Sequence, residues 1–403
     1  MNTAVPTWLG AIAATHGTPT FAYDLDLVRQ QAHRLRQALS HPRLQLLYAI
    51  KANPCPAVVR VLLAEGYGID AVSPGEVALA LSLGCPPQRI CYTENNMTDA
   101  EAADATAAGV LINCGSLDRL QRLAESGVNR AAVRFNPDVG DSEHAYTLTA
   151  GPLTKFGIHH SQVAAVRDLE QRSGLRVVGC HMHIGSNVLS AEAFRAAMRV
   201  ILDAARGLPH LEWVDVGGGL GIPYHPDQKP LDVAAVGRAA DELIAELEQH
   251  HGRPLELRLE PGRFLVAEAG YLLTTVTSVK TNPDGRTYVG CDTGFNHLIR
   301  PTMYGSYHPI ANISHPQAPL ERVDVVGNVC ESGDVFARER ELPQPQLGDV
   351  LAIGCAGAYG MSMASVYNLR PLPAEVAYEA AQIRLLRRRR SLSELLAELE
   401  DQA

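Results

Sequence analysis

The stretch Leu44-Gln45-Leu46-Leu47-Tyr48-Ala49-Ile50-Lys51-Ala52 reads as a short apolar strand that ends directly at a lysine. Burial lowers the pKa of such an amine, and the neutral amine is then a nucleophile that can form a Schiff base. The plainer interpretation is that Lys51 marks the strand end and reaches solvent. The pattern matters for the fold because apolar strands that end in polar or glycine residues recur along the chain.

Seven more strands of this kind follow, mostly separated by alanine- and leucine-rich segments with helical spacing, such as Pro56–Glu65, Ala191–Arg206 and Ala234–Gln249. Eight strand–helix alternations in roughly 220 residues match a (β/α)8 TIM-like barrel in number and size. A doubly wound sheet is the alternative, but it usually has fewer strands and does not close. The predicted strands are Leu44–Ile50, Tyr67–Val72, Arg89–Thr93, Val110–Cys114, Ala131–Asn136, Val177–Ile184, Trp213–Gly217 and Leu255–Glu260.

After residue 265 the pattern changes to strands without long helices between them, which predicts a second, mostly β domain. The organisation we expect is an N-terminal segment, 1–20, that pairs with the β domain, a barrel over 21–268, and a β domain with a terminal helix over 269–403. The predicted strands of the second domain are Tyr271–Lys280, Arg286–Val289, Arg322–Val326 and Asp349–Ile353.

Composition and charge exclude several classes of protein. The 403 residues carry a net charge of -9, so there is no basic footprint for nucleic acid. The basic run Arg387–Arg390 leads into a helix-like segment, 391–400, and is interpreted as a solvated helix face. The sequence shows no apolar leader and no long apolar stretch, so we expect neither secretion nor membrane insertion. The eight cysteines form no CxxC pair or zinc spacing, which indicates reduced thiols and a cytoplasmic protein.

Chemistry in such barrels lies at the carboxyl ends of the strands, and polar or glycine residues stand there in this sequence. The glycine run suits close approach of backbone amides to a phosphate, although a tight strand–helix turn would also explain it. The residues at the predicted strand ends are Lys51, Arg134, Asn136, His181, His183, Ser186, Gly217-Gly218-Gly219-Leu220-Gly221 and Glu260-Pro261-Gly262-Arg263.

His181 and His183 alternate along one strand face, which is also a metal-ligand spacing. We expect no metal site, because the sequence offers no further acidic or histidine ligands on the neighbouring strands. A histidine ring lying flat on a cofactor ring needs no such partners. Glu260 either pairs with Arg263 or, beside a Schiff-base lysine, keeps a pyridine nitrogen protonated so that the ring accepts electrons.

Together these residues resemble the fold-type III pyridoxal-phosphate decarboxylases, the ornithine/diaminopimelate/arginine decarboxylase group. The resemblance covers nearly the whole chain and implies an alanine racemase-like fold with a barrel and a β domain. Seven motifs carry it in the family's order: Tyr48-Ala49-Ile50-Lys51-Ala52-Asn53, His183-Ile184-Gly185-Ser186, Gly217-Gly218-Gly219, Glu260-Pro261-Gly262-Arg263, Arg300-Pro301 with Tyr304-Gly305-Ser306-Tyr307, Cys330-Glu331-Ser332-Gly333-Asp334, and Gly357-Ala358-Tyr359-Gly360.

The resemblance also implies roles for single residues. Lys51 forms the Schiff base with pyridoxal 5'-phosphate, His183 stacks on the cofactor ring and Glu260 meets the pyridinium. In a homodimer with shared active sites, Cys330 and Glu331 come from the other subunit, and Cys330 donates the final proton. The residues implied to surround the phosphate are Ser186, Gly218, Gly219, Gly262 and Tyr359, and those implied to contact the substrate are Arg263, Arg300, Tyr304, Glu331 and Tyr359.

The reaction implied is decarboxylation of meso-2,6-diaminopimelate to L-lysine and carbon dioxide, the last step of lysine biosynthesis. Glu260 favours decarboxylation, since family racemases place an arginine at the pyridine nitrogen, and two arginines suit a substrate with a second carboxylate. Three positions depart from the family pattern, namely Asn187, Cys355 and Val366-Tyr367-Asn368. The alternatives are a decarboxylase of D-lysine, D-ornithine or another carboxylated diamino acid, a metal-dependent hydrolase on the same barrel, and a non-catalytic protein that binds the cofactor.

Overall fold

The computed structural model describes residues 5–142, 144, 149–151 and 154–399. Its helices are α1 Trp8–His16, α2 Leu25–Ala38, α3 Pro56–Ala64, α4 Pro74–Ser82, α5 Asp99–Ala107, α6 Leu117–Glu125, α7 Val163–Ser173, α8 Ala191–Arg206, α9 Val233–His251, α10 Arg263–Val266, α11 Arg300–Tyr304 and α12 Leu392–Ala397. Its strands are β1 Thr20–Asp24, β2 Leu44–Ala49, β3 Gly68–Ala71, β4 Ile90–Thr93, β5 Leu111–Cys114, β6 Arg130–Asn136, β7 Ile158–His159, β8 Arg176–His181, β9 Trp213–Asp215, β10 Glu256–Leu259, β11 Gly270–Thr281, β12 Thr287–Cys291, β13 Ile310–Asn312, β14 Leu320–Val326, β15 Val335–Pro343, β16 Val350–Ile353, β17 Ala374–Glu379 and β18 Gln382–Arg387.

The chain divides into two compact units. The barrel unit comprises Arg29–Ile222 and Lys229–Phe264, and the β unit comprises Met1–Val28, Pro223–Gln228 and Leu265–Ala403.

Eight parallel strands close into the barrel, in the order β2-β3-β4-β5-β6-β8-β9-β10 and back to β2. Each of them overlaps one of the eight predicted strands, so the predicted (β/α)8 barrel is confirmed. The short strand β7 adds to the edge of β6. Strands such as β3 and β4 are buried along their whole length, as expected where helices cover one face and the barrel interior the other.

Helix α8 shows how the sequence builds the outer ring. Its buried residues Phe194, Ala197, Met198 and Ile201 recur at helical spacing, so one apolar face packs inward. The Ser190 side chain accepts the Ala193 N–H and caps the first turn. Its observed bounds are those predicted from the sequence.

The β unit is built on a mixed sheet with the strand order β15-β14-β12-β11-β1-β17-β18, and β16 pairs with both β11 and β13. Strand β1 runs antiparallel to β11 and parallel to β17, at the centre of this sheet. The boundary expected between residues 20 and 21 therefore falls inside a strand of the β unit. A short apolar stretch ahead of the first barrel strand carries no signal for which sheet it joins.

The basic run before the last helix differs from its predicted role. Arg387 ends β18, and the Nη2 of Arg389 donates to the carbonyls of His16 and Pro19 and to Thr20 Oγ1. Arg388 and Arg390 pair with glutamates of the terminal helix segment. The interpretation as a solvated helix face is wrong, because Ser391 caps a helix that begins only at Leu392. The predicted end at Glu400 lies outside the described residues.

Two further observations concern membrane-spanning helices and cysteines. Within the described ranges, no helix combines the length and the apolar character needed to cross a bilayer. All eight cysteines are free thiols, and only Cys330 is exposed.

Candidate active site

Lys51 lies in the single 3-10 turn Ile50–Ala52 that directly follows β2. Its amine contacts the carboxylate of Asp70 on the adjacent strand β3, which is completely buried. Burial, and then the charge of Glu260, raise the pKa of Asp70 to about 7, against the lowering effect of Lys51. Asp70 was not among the predicted site residues. The sequence did contain a signal for it: an acid stands in the apolar strand Gly68-Ile69-Asp70-Ala71, and a buried carboxylate needs a polar or charged partner.

Glu260 follows β10, and its Oε2 lies 2.9 Å from Nε2 of His181 at the end of β8. Both side chains are buried. Burial raises the pKa of Glu260, but His181, its hydrogen bond and Lys51 outweigh burial and lower the pKa to about 2. Burial also lowers the pKa of His181. His181 thus lies in hydrogen-bond contact with an ionised Glu260 carboxylate.

Arg263, the other partner considered for Glu260, donates through Nη2 to Ser186 Oγ at 2.7 Å. This bond joins the loop after β8 to the first residue of α10. Gly262, beside it, packs tightly, because an added Cβ would lie 3.1 Å from the Cβ atoms of Ala49 and Ala52.

The third member of the buried cluster is Asp215 at the end of β9. One ligand-type atom from each of His181, Asp215 and Glu260 lies within 4.8 Å of the others. The expectation that neighbouring strands supply no further ligands is therefore wrong. An acid inside the strand Trp213-Val214-Asp215 was the available signal. The charges of Lys51 and Arg134 act on His181 and oppose the binding of another cation here.

The glycine loop after β9 requires glycine at each of its first three positions. A Cβ on Gly217 would lie 2.2 Å from Met182 O, one on Gly218 2.2 Å from Glu260 O, and one on Gly219 2.5 Å from Gly185 O. Gly217 and Gly219 also have φ values of +78° and +86°. These three positions therefore admit no side chain, so a ligand at the carboxyl end of the barrel can come close to the backbone of this loop.

His183 is fixed to this loop, since its Nδ1 accepts the Gly218 N–H at 3.1 Å. Burial, then Arg134 and Lys51, hold the pKa of His183 well below its usual value. A neutral ring with its proton on Nε2 follows. Asn187, one of the departures from the family pattern, has φ +57° and accepts the Ile222 N–H at 2.9 Å. Asparagine tolerates this left-handed conformation better than most residues, which accounts for its presence.

Arg134 on β6 completes the charged groups of the barrel mouth. Its guanidinium lies 4.8 Å from the centre of the Phe156 ring. Burial lowers the pKa of Arg134 to about 10, although the charges of Glu260, Asp70 and Glu94 oppose this.

The remaining predicted site residues belong to the β unit. Arg300 is buried at the start of α11, where it donates to Ser306 Oγ at 3.1 Å, lies 3.2 Å from His308 Nε2 and stacks over Tyr224. The loop of Cys330 and Glu331 is exposed and lies beside α11, because Thr302 Oγ1 donates to Gly333 O at 2.8 Å.

Two other positions in the β unit adopt a left-handed backbone. These are Tyr359, with φ +56°, and Cys355, with φ +52°. The pKa of the Cys355 thiol is raised to about 12 by burial and then by Glu268. The Cys355 thiol is therefore neutral. Members of the family often have an acidic residue at this position, and this chain has no charge there.

The barrel mouth fits pyridoxal 5'-phosphate. Lys51 supplies an amine, and the glycine loop lets a phosphate approach the backbone where any side chain would clash. Glu260 Oε1 is buried and has no hydrogen-bond partner among the residues that the structure describes, so it is available to accept a ring N–H. A closed (β/α)8 barrel with this set of residues defines the pyridoxal-dependent class of enzyme.

Comparison with known proteins agrees with this class. The family model "Pyridoxal-dependent decarboxylase, pyridoxal binding domain" matches residues 25–267. The diaminopimelate decarboxylase of Methanothermobacter thermautotrophicus is 44% identical over 96% of this chain and 92% of its own length. That of Escherichia coli K12 is 37% identical over 96% of this chain and 94% of its own.

Among solved structures, diaminopimelate decarboxylase from Helicobacter pylori complexed with L-lysine superimposes with a TM-score of 0.89 at 32% identity, covering 97% of this chain and 99% of that one. The chain belongs to the diaminopimelate decarboxylase family of pyridoxal-dependent decarboxylases. This membership replaces the metal-dependent hydrolase as the interpretation of His181 and His183.

Proposed function

We propose that the protein decarboxylates meso-2,6-diaminopimelate at its D-centre to give L-lysine and carbon dioxide, with pyridoxal 5'-phosphate as cofactor. The observation that carries this proposal is the near-full-length similarity to relatives of that name, at 44% identity for the archaeal protein. The L-lysine bound in the Helicobacter pylori complex is the product expected of this reaction.

Each group of the barrel mouth has a role in this proposal. When bound, the cofactor withdraws the electron pair left at Cα after the carboxyl group departs. Lys51 is the residue that would hold it, through the amine that contacts the Asp70 carboxyl group. Glu260 would accept the ring N–H through its unpartnered Oε1, and the neutral ring of His183 would pack on the cofactor. The phosphate would be held by Ser186, Gly218, Gly219, Gly262 and Tyr359.

The substrate is recognised by its second carboxylate. Arginine binds a carboxylate through two parallel hydrogen bonds, a geometry that a lysine ammonium does not reproduce. Arg263 and Arg300 are the candidates, and Tyr304, Glu331 and Tyr359 complete the set. Ser306 and the Tyr224 ring fix the Arg300 guanidinium, which lowers the entropy lost when it binds a substrate.

Assembly belongs to the same proposal. Cys330 is the single exposed thiol of the chain, and its backbone N–H donates to Asn368 Oδ1 at 3.1 Å. In a homodimer with shared sites, Cys330 and Glu331 would act in the partner's site, where the Cys330 Sγ–H gives its proton to the carbanion at Cα. The free thiols suit a reducing cytoplasm.

The test is carbon dioxide release from meso-diaminopimelate, D-lysine and D-ornithine, each supplied at equal concentration to the holoenzyme. The proposal predicts release from meso-diaminopimelate with L-lysine as the product. Faster turnover of D-lysine or D-ornithine would contradict the assignment of the substrate, while the assignment of the cofactor would stand. If the purified protein gains no visible absorption band with pyridoxal phosphate, the assignment of the cofactor is contradicted as well.

A further inference from the structure

We propose that His181 is a positioning residue that places the negative charge of a buried carboxyl pair on Glu260 rather than on Asp215, and so keeps the cofactor's ring nitrogen protonated. The proposal rests on the proposed function only in taking pyridoxal phosphate as the ligand. The three side chains involved, His181, Asp215 and Glu260, form one buried cluster.

The hydrogen-bond pattern fixes the tautomer of His181. Its Nε2 lies 2.9 Å from Glu260 Oε2, whereas its Nδ1 is buried and has no partner within the described part of the chain. A protonated imidazole would leave an N–H at Nδ1 buried and unsatisfied, which is costly. His181 is therefore neutral, carries its proton on Nε2 and donates it to Glu260.

The two carboxyl groups differ in what they accept. Glu260 Oε2 receives the imidazole N–H, while Asp215 Oδ1 receives only the backbone N–H of Gly217 at 2.8 Å. Asp215 Oδ2 has no partner in the ranges that the structure describes. Two buried carboxyl groups this close do not both ionise. The group that accepts the side-chain N–H takes the charge, so Glu260 is ionised and the proton resides on Asp215.

Other charged groups also act on Glu260. The cationic groups are Lys51 after β2 and Arg134 on β6, and both favour the ionised form. Asp70 on β3 opposes it, and the Cys91 thiol on β4 and the His183 ring after β8 are neutral neighbours. Lys51 and Arg134 favour ionisation of Glu260, whereas Arg258 favours ionisation of Asp215. Cations thus act on both carboxyl groups, but among the described residues only His181 donates a side-chain hydrogen bond to one of them, Glu260.

The consequence concerns Glu260 Oε1. Because Oε2 is held by His181, the unpartnered Oε1 is the oxygen left to accept the ring N–H. An ionised carboxylate in this position stabilises a protonated ring nitrogen, whereas a neutral carboxyl does not. Removing the imidazole donor would let the charge move to Asp215 and would leave the ring nitrogen without its counter-ion.

The experiment measures the 15N chemical shift of the ring nitrogen in holoenzyme loaded with 15N-labelled pyridoxal phosphate, without substrate. The variants are His181→Phe, which has no donor, and His181→Gln, whose amide restores one. Asp215→Asn mimics the protonated acid, and His210→Phe is the matched control because His210 is exposed in the same unit. Should His181→Phe fail to fold, His181→Met removes the donor with a flexible side chain.

The proposal predicts a protonated ring nitrogen in the wild type, His210→Phe, His181→Gln and Asp215→Asn, and an unprotonated one in His181→Phe. It also predicts that His181→Phe lowers kcat about tenfold or more with a smaller change in KM. A folded His181→Phe or His181→Met holoenzyme that keeps the wild-type shift overturns this proposal alone. Loss of the protonated signal in Asp215→Asn also overturns it, since Asp215 would then carry the charge. Wild-type protein that binds no pyridoxal phosphate overturns the proposed function and this proposal together.

Discussion

The amine of Lys51, one third exposed, contacts the carboxylate of Asp70, which is fully buried. The pKa of Asp70 is about 7, above its usual value of 3.8. A carboxyl group with a raised pKa holds its proton longer in the folded state than in the unfolded state. Its contribution to stability is therefore fully present below the ordinary pKa and is lost as the pH rises through 7.

Asp70→Asn should remove this dependence in the cofactor-free protein. Between pH 4 and pH 7, the free energy of unfolding of the wild type should fall relative to that of the variant, by on the order of a few kcal/mol. Urea unfolding at several pH values measures it, with Asp168→Asn as the control because Asp168 is exposed in the same unit. Parallel curves for the wild type and Asp70→Asn would show that Asp70 is not protonated near neutral pH.

Glu260→Gln should retain the cofactor and lose turnover. The amide cannot balance a protonated ring nitrogen, so the loss should appear in kcat, by about a hundredfold, with KM little changed. Steady-state kinetics and the visible spectrum of the same preparation measure both effects. A rise in KM at constant kcat would mean that Glu260 only contributes to binding or to structure.

Arg300→Lys should raise KM for meso-diaminopimelate by about tenfold or more while the affinity for pyridoxal phosphate changes little, because lysine lacks the paired donors. Arg300 is buried with several partners, so melting temperatures must accompany the kinetics. Arg322→Lys is the matched control, as Arg322 is exposed in the same unit. If the two substitutions change KM equally, Arg300 does not bind the substrate.

Mixing two inactive proteins tests the shared site. Lys51→Ala and Cys330→Ala subunits, allowed to exchange, should regain activity, because about a quarter of all sites would combine an intact Lys51 with an intact Cys330 from the partner. Each variant incubated alone is the control. If a tag pull-down shows mixed dimers and activity stays at the level of the single variants, Cys330 acts within its own chain or does not act.

Much of the fold could be predicted from the sequence, because barrel strands are apolar runs separated by helical segments. Strands β15 and β18 are not predicted, because the charged run Arg338–Glu341 in β15 and the two arginines of β18 are typical of exposed loops. At the site, Lys51, His183 and Glu260 stand at strand ends where polar residues are conspicuous. Asp70 and Asp215 were overlooked because each is a single acid inside an apolar strand, and only the closed barrel reveals which groups they face.

The central claim is that Lys51 binds the cofactor covalently, and borohydride reduction of the holoenzyme followed by peptide mass spectrometry tests it most directly. The chain has three other lysines, Lys155, Lys229 and Lys280, which serve as internal controls. We expect the pyridoxyl group on the peptide that contains Lys51 and its absence from Lys51→Ala, which should also lose nearly all turnover. A reduced adduct on one of the other lysines, or a Lys51→Ala enzyme with near wild-type activity, would contradict the account.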